Sequence, residues 1–221
     1  DGHLKHGEER AVLNFYDEDA ALSEAFAADV NSVVRAPLGT ADYEIGVSEI
    51  ARSDAYRGAQ AVEQRIRSTR LYEYAAQAGL GESKYTVPTA VMRGSEEMAR
   101  GFLQALFTAD GGVQGTVEKG VSVRLTSIST ELLTDVQRLL LNFGIHSTIY
   151  DERHPAGVKA MPDGHGGMAA YPHQADHDLV ISKDNLMRFA EEIGFLLESK
   201  QDALEGHLSA YRRGPYRERF E

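Results

Sequence analysis

The chain has 221 residues, 42% of them hydrophobic, a formal net charge of -11 and no cysteine. That length admits one large domain or two small ones with a real core, and the missing cysteines exclude a disulfide framework, a thiolate metal site and a cysteine nucleophile. The acidic balance counts against a polyanionic partner unless the basic residues are segregated on one face.

Residues 10–16 are apolar and aromatic with partial alternation and predict a strand. Asp17-Glu18-Asp19 offers N-caps to a helix over 20–34, with apolar residues at 22, 26, 30, 33 and 34. Pro37-Leu38-Gly39-Thr40 breaks it, and a strand is expected over 43–51. Residues 58–79 read as a helix carrying Val62, Ile66, Leu71 and Tyr74, open to interruption near Ser68. Gly79 to Pro88 is a linker whose end, Lys84 to Pro88, is extended. Ser95 caps the next helix, with Glu96 and Glu97 in its first turn. This helix runs to Ala109 and stops at Asp110-Gly111-Gly112, where glycine supplies the helix-ending conformation. A strand over 121–128 follows, then an amphipathic helix over 130–143 with Leu132, Leu133, Val136, Leu139 and Leu140 inward, closed by Gly144. A strand over 145–150, a polar loop rich in Gly and His over 152–177, a strand over 178–182 and helices over 184–197 and 199–211 complete the chain. No apolar run approaches the ~20 residues that cross a bilayer and no signal peptide is visible. A cytoplasmic address and no membrane partner are expected.

The pattern repeats after about 110 residues. Asp1-Gly2-His3-Leu4 leads to a strand and an acid-capped helix, and Asp110-Gly111-Gly112-Val113 does the same. Such a repeat predicts a pseudo-twofold pair, with a first half over 1–83, a linker over 84–94 and a second half over 95–221. The helix before Asp110 is apolar over much of its circumference, which implies burial. Ala105 and Ala109, four apart, give it a face that another helix can approach closely. Asp110 itself is anomalous, because a carboxylate at a helix C-terminus is disfavoured by ~0.3–1 kcal/mol. A hard divalent cation, which takes carboxylate and free carbonyl oxygens, would compensate it.

Residues 103–111, Leu-Gln-Ala-Leu-Phe-Thr-Ala-Asp-Gly, resemble the motif of the LAGLIDADG homing endonucleases, of the kind found within inteins. Asp1-Gly2 resembles the tail of a first copy. Lys84-Tyr85-Thr86-Val87-Pro88 resembles the family's Lys-x-x-Pro-type block, Leu125 to Ile149 (notably 136–140 and 143–145) its late Leu- and Gly-containing block, and 189–195 its closing helix. The resemblance implies an α+β fold of two αββαββα-type halves forming a DNA-binding saddle, the first lacking its leading helix. It implies a site-specific double-strand endonuclease that hydrolyses phosphodiesters with Mg2+ or another divalent cation. A host protein and a splicing domain in cis would be its partners, with ribonucleotide reductase as a candidate host, and the domain would be a monomer. The fragment has neither a splicing nucleophile nor a terminal His-Asn pair, so on its own it is expected neither to splice nor, without the first helix, to cut.

Under that resemblance Asp1 and Asp110 are the metal-binding acids, one per strand cut, with Gly111 as a further metal contact. Lys84 is the basic residue that orients water or stabilises the phosphorane, and Lys183 is its weaker counterpart. Asn14, Arg124 and Thr126 on strands have the geometry to read base edges, and Arg65, Arg67 and Arg70 are candidate phosphate contacts. His154, His165, His173 and His177 share one loop, but nothing there pre-organises metal ligands. Two rivals stay open: a DNA-binding module of the same fold that does not cleave, and a metal-binding or protein-interaction domain without nucleic acid.

Overall fold

The computed structural model describes residues 2–53, 60–80, 84–116, 120–162 and 167–209. By its internal contacts the chain divides into two units, residues 1–84 with 88–93, and residues 85–87 with 94–221.

In the first unit β1 (Gly2–Lys5) and β2 (Arg10–Tyr16) form a hairpin, and a 3-10 turn over Asp17–Leu22 leads into α1 (Ser23–Val33). β3 (Val47–Ser53), β4 (Gln60–Ser68) and α2 (Thr69–Gln77) follow, and a short α3 (Thr89–Met92) lies in the expected linker. The sheet is antiparallel in the order β1-β2-β4-β3. Strand alternation sends Leu13, Phe15, Val47 and Ile66 to one face, where they pack with Ala27, Val30, Val34 and Ile45. The Asn31 amide fixes the approach to β3 through two 2.8 Å bonds with the backbone of Ile45.

Several expectations for this unit are corrected. Asp17 to Asp19 do not cap a helix; they form the first turn of the 3-10 segment, whose N-cap is Tyr16. The expected helix over 58–79 is a strand followed by a helix. The spacing of four between Val62 and Ile66 suits a strand face as well as a helix face. What decides is Ser68, which stays extended while its Oγ accepts the amide of Leu71 at 3.0 Å, so α2 starts only at Thr69.

The second unit begins with α4 (Glu96–Asp110), β5 (Gly111–Thr116), β6 (Gly120–Ser127) and α5 (Thr130–Asn142). β7 (Thr148–His154), a hairpin of β8 (Gly157–Pro162) and β9 (Met168–His173), β10 (Asp176–Ser182), α6 (Asn185–Glu192) and α7 (Glu198–Ser209) complete it. Its main sheet is antiparallel in the order β5-β6-β10-β7. This repeats the first unit's connectivity, strand for strand, once the inserted β8–β9 pair is set aside. The two halves are thus topological copies, antiparallel sheets with helices, in an α/β arrangement of the expected type. Val123, Leu125, Leu179 and Ile181 turn inward against Leu133, Val136, Leu139 and Leu140 of α5, all of them buried.

The expected loop over 152–177 is mostly strand. β7 continues to His154, and β8 pairs with β9 from Gly157↔His173 to Pro162↔Met168. A bulge marks the base of this hairpin: β7 carries extra residues where β10 moves from Asp176 to Asp178. The surplus amide of Glu152 (φ 47°) donates to Nδ1 of His177 at 3.0 Å, and His154 Nδ1 lies 2.7 Å from Asp176 Oδ1. His165 lies outside the described residues.

Ser95 caps α4 as expected, its Oγ accepting the Met98 amide at 3.3 Å. A bond from Ser95, helped by its own backbone amide, holds the Glu97 carboxyl below the usual carboxylate range. Ser95→Ala should cost about 1 kcal/mol in urea denaturation near neutral pH. Because the Glu97 pKa is depressed in the folded state, its contribution is present above the ordinary carboxylate value and disappears as pH falls through the lowered one. The penalty should therefore shrink in acid, and a penalty independent of pH would remove Glu97 from the account.

Candidate functional site

α4 is built to present its last residue. Leu103 and Phe107 are fully buried on one side, Ala105 is half-buried, and Ala109 and Asp110 are exposed. Among the described residues no side chain bonds the Asp110 carboxylate.

The expected glycine ending is corrected in its physics. Gly111 is not left-handed: at φ -98° and ψ 173° it is extended and is already the first residue of β5. Glycine is required by space. A Cβ there would lie 2.7 Å from the Phe107 carbonyl, 2.9 Å from its ring and 3.1 Å from the Arg124 carbonyl, while a Cβ on Gly112 would meet nothing within 4 Å. Gly111→Ala should thus cost about 1–3 kcal/mol and displace the acid, whereas Gly112→Ala should be tolerated. Equal melting temperatures for the two variants would refute this account of the corner.

The C-terminal end of α4 is held by the segment after α6. Gln104 Nε2 donates to the Ile193 carbonyl at 2.9 Å, the Leu196 amide donates to Thr108 Oγ1 at 2.8 Å, and the Phe195 amide donates to Gln201 Oε1 at 2.9 Å. Lys200, half-buried in α7, donates from Nζ to the Thr108 carbonyl at 2.6 Å and the Gly111 carbonyl at 2.9 Å. Two carbonyls at this helix end are therefore bonded by an ammonium of the chain itself. The Gly111 carbonyl, expected to face a metal, accepts one bond from Lys200.

Sequence reasoning missed Lys200. In the other half Lys84 Nζ donates to the carbonyl of Gly2 at 3.2 Å. Lys183, the expected counterpart of Lys84, sits exposed with φ 59° between β10 and α6; its carbonyl accepts the Leu186 amide at 3.1 Å, and its ammonium bonds no side chain or carbonyl among the described residues. Asp1 lies outside the described residues.

The strand residues expected to read DNA lie on the sheet faces opposite the cores. On β6, Ser122, Arg124 and Thr126 alternate with buried Val123 and Leu125. Thr126 Oγ1 donates to Asp178 Oδ1 at 2.7 Å, and Arg124 contacts Ser122 Oγ at 3.1 Å and Asp178 at 3.5 Å. On the other sheet Asn14 opposes Arg65, and Val12 opposes exposed Arg67. Arg65 Nε donates to Asn14 Oδ1 at 2.8 Å and pairs with buried Glu63. Each half thus holds one arginine in place with a buried acid from its own or the neighbouring strand. Arg70 differs from its expected role. It is buried, bonds Asp42 at 2.8 Å and the carbonyl of Tyr43, and stacks 4.2 Å above the Tyr43 ring. These contacts tie α2 to the loop after α1, and Arg70 is not carried forward as a phosphate contact.

Among the described residues no group of three or more His, Cys, Asp or Glu could hold a metal. Asp110 offers one exposed carboxylate, a hard oxygen donor of the kind a divalent ion takes. No helix among the described residues is long and apolar enough to cross a membrane.

A family model described as a LAGLIDADG-like domain matches residues 97–194. A ribonucleoside-diphosphate reductase alpha subunit of Bacillus subtilis (strain 168) is 28% identical over 180 residues, 80% of this chain and 16% of its own length. A DNA polymerase of Thermococcus litoralis is 38% identical over 112 residues, 50% of this chain and 6% of its own length. A tRNA-splicing ligase RtcB of Methanopyrus kandleri is 28% identical over 234 aligned positions, 96% of this chain and 21% of its own length. The chain therefore spans less than a quarter of each of these relatives. Two solved structures of the homing endonuclease I-DmoI share the fold, each alignment covering 94% of this chain and 90% of that one. A mesophilic variant gives a TM-score of 0.53 at 20% identity, and a complex with DNA and Ca gives 0.54 at 19%.

Proposed function

We propose, from the LAGLIDADG-like domain model that matches residues 97–194 and the fold shared with a homing endonuclease, that this chain is part of a site-specific, metal-dependent endonuclease acting on double-stranded DNA. The observation that carries this reading is the exposed Asp110, held at the junction of α4 and a sheet whose connectivity the other half repeats after Asp1-Gly2.

In this proposal Asp1 and Asp110 supply one acid per strand cut. A bound Mg2+ would polarise the phosphodiester and lower the pKa of an attacking water. The chain's own part is to place the carboxylates and to orient the duplex. Arg124 with Thr126, and Arg65 with Asn14, would read base edges, since arginine matches guanine and asparagine matches adenine in the major groove. Their bonds to Asp178 and Glu63 fix their side chains before DNA arrives, which lowers the ordering cost of binding. Local pairing of charge also lets this face work within a chain of net charge -11.

We also propose that the domain is an inserted element of the intein kind. Its relatives carry the names of a reductase, a polymerase and an RNA ligase, and the chain matches only a small fraction of each. A segment shared by proteins with such different names is portable. Its target would then be the host gene with the insertion removed, and the host and splicing domain would act in cis.

Titration of that rejoined duplex against salt tests the DNA-binding part. Arg67→Ala should weaken binding to all sequences and lower the log–log salt slope by about 0.9. Arg124→Ala should instead lose about 1–3 kcal/mol of discrimination at one base pair. Salt-independent binding, or no binding, would favour a domain without nucleic acid.

A further inference from the structure

On the outward face of the second sheet one buried carboxylate gathers three side chains from the strands on either side. Asp178, on β10, lies between β6 and β7 and is 3% exposed. Its Oδ1 accepts Thr126 Oγ1 at 2.7 Å. Its Oδ2 lies 3.5 Å from Nη1 of Arg124 on β6 and 3.9 Å from Nε of Arg153 on β7.

We propose that Arg153 is a specificity-determining residue, reading a guanine within about two base pairs of the one read by Arg124, and that Asp178 and the bulge of β7 aim it. The proposal rests on the DNA-binding reading above and adds to it a residue from β7.

Ordinary strand alternation would not put Arg153 there. Tyr150 opposes Asp178 across the pair of β7 and β10, so Tyr150 and every second residue after it would share the outward face, and residue 153 would turn to the core. The bulge changes this. β7 runs from Tyr150 to His154 while β10 runs only from Asp178 to Asp176, and Glu152 takes the left-handed φ of 47°. Alternation breaks at that residue, and Arg153 reaches the side on which Asp178 stands. Bulges commonly re-aim a side chain in this way. The kink is pinned on both flanks, by the Glu152 amide on His177 Nδ1 at 3.0 Å and by His154 against Asp176 at 2.7 Å.

The guanidinium is positioned without being consumed. Its side chain is half-exposed, it lies 5.9 Å from the centre of the Tyr150 ring, and among the described residues no hydrogen bond takes up its nitrogens. A fork held by an ion pair and an aromatic ring keeps its donors for the two acceptors that guanine shows in the major groove. One carboxylate faces two guanidiniums, so the group keeps a positive charge within a chain of net charge -11. Two nitrogens at 3.5 and 3.9 Å from one oxygen are within about two steps of a duplex whose bases rise ~3.4 Å. The two arginines therefore read the same short stretch.

The test incubates the intact protein with a pool of randomised duplexes and sequences those it retains. Wild type should prefer guanine at two positions no more than about two base pairs apart. Arg124→Ala should lower one preference about tenfold and Arg153→Ala the other. Asp178→Asn should weaken both and leave the remaining positions alone, which a merely structural acid would not do. Glu152→Val, a β-branched residue forced to a positive φ, should reproduce Arg153→Ala. Glu152→Gly, which accepts that φ, should select as wild type does. The proposal is overturned if Arg153→Ala keeps every preference, if it weakens binding to all sequences alike, as loss of a phosphate contact would, or if Glu152→Val matches Glu152→Gly. A wild-type protein that enriches no sequence removes the DNA-binding reading and this proposal with it. Selection that responds to Arg124→Ala but not to Arg153→Ala rejects the proposal alone.

Discussion

In the parent protein, Asp110→Asn should slow nicking of one DNA strand about 10³-fold, as expected when a metal-held oxygen worth several kcal/mol is lost, while duplex affinity stays within about twofold. The substitution keeps shape and volume. It exchanges a charged, hard oxygen donor for an amide that a divalent cation holds poorly. The residue is exposed at the end of α4, so no packing is disturbed. Its position also sets the expected effect on folding. A carboxylate at a helix C-terminus is unfavourable by about 0.3–1 kcal/mol, so the variant should melt at the same temperature or slightly higher. Lost cleavage with undiminished stability marks a residue retained for chemistry. Wild-type nicking by Asp110→Asn would dismiss metal-assisted cleavage at this position and leave the non-cleaving DNA-binding module.

Phe107→Ala should cost about 3–5 kcal/mol in urea denaturation, the usual range for an aromatic deleted from a core. The ring is fully buried and packs edge-on against Phe189 at 4.9 Å, and Phe189 in turn meets Phe195 at 5.4 Å. Three aromatics thus join α4, α6 and the segment between α6 and α7. Such pairs add about 0.5–1.5 kcal/mol beyond the area they bury. Phe107→Leu should recover much of the loss, because it leaves a smaller void. Met98→Ala, on the exposed side of the same helix, should stay within about 0.5 kcal/mol. A small penalty for Phe107→Ala would mean that α4 is not seated on its sheet as described. The same variant should also blur the position of Asp110, since the Phe107 carbonyl accepts the Gly111 amide.

α4 and α5 were legible because local and tertiary signals agree there. Ser95 and Ser129 cap them, the apolar period is helical, and Gly144 (φ 66°) closes α5. Asp110 stood out for the opposite reason, as a residue that local physics disfavours. β4 was misread because its decisive neighbours are far away in sequence: Ile66 lies between Leu13 of β2 and Val47 of β3, and no periodicity announces that pairing. β8 and β9 were missed because Pro, Gly and His obscure their alternation, and each strand pairs only with the other. Arg70 was grouped with Arg65 and Arg67 by proximity in sequence. The turn from strand to helix at Ser68 sends it elsewhere, to Asp42 and Tyr43. Lys200 could not be read from its own surroundings, where it is an ordinary helix lysine.

The inserted β8–β9 hairpin leaves and re-enters its parent sheet at a single point, where His154 and Asp176 stand 2.7 Å apart. Chain emerging from such a closed gate adds little to the entropy of folding: doubling its length costs only about 0.6 kcal/mol. The parent sheet already has its four strands without it. This junction is therefore a natural graft point, where cargo as long as a small domain could be exchanged for the hairpin while the surrounding strands keep their register.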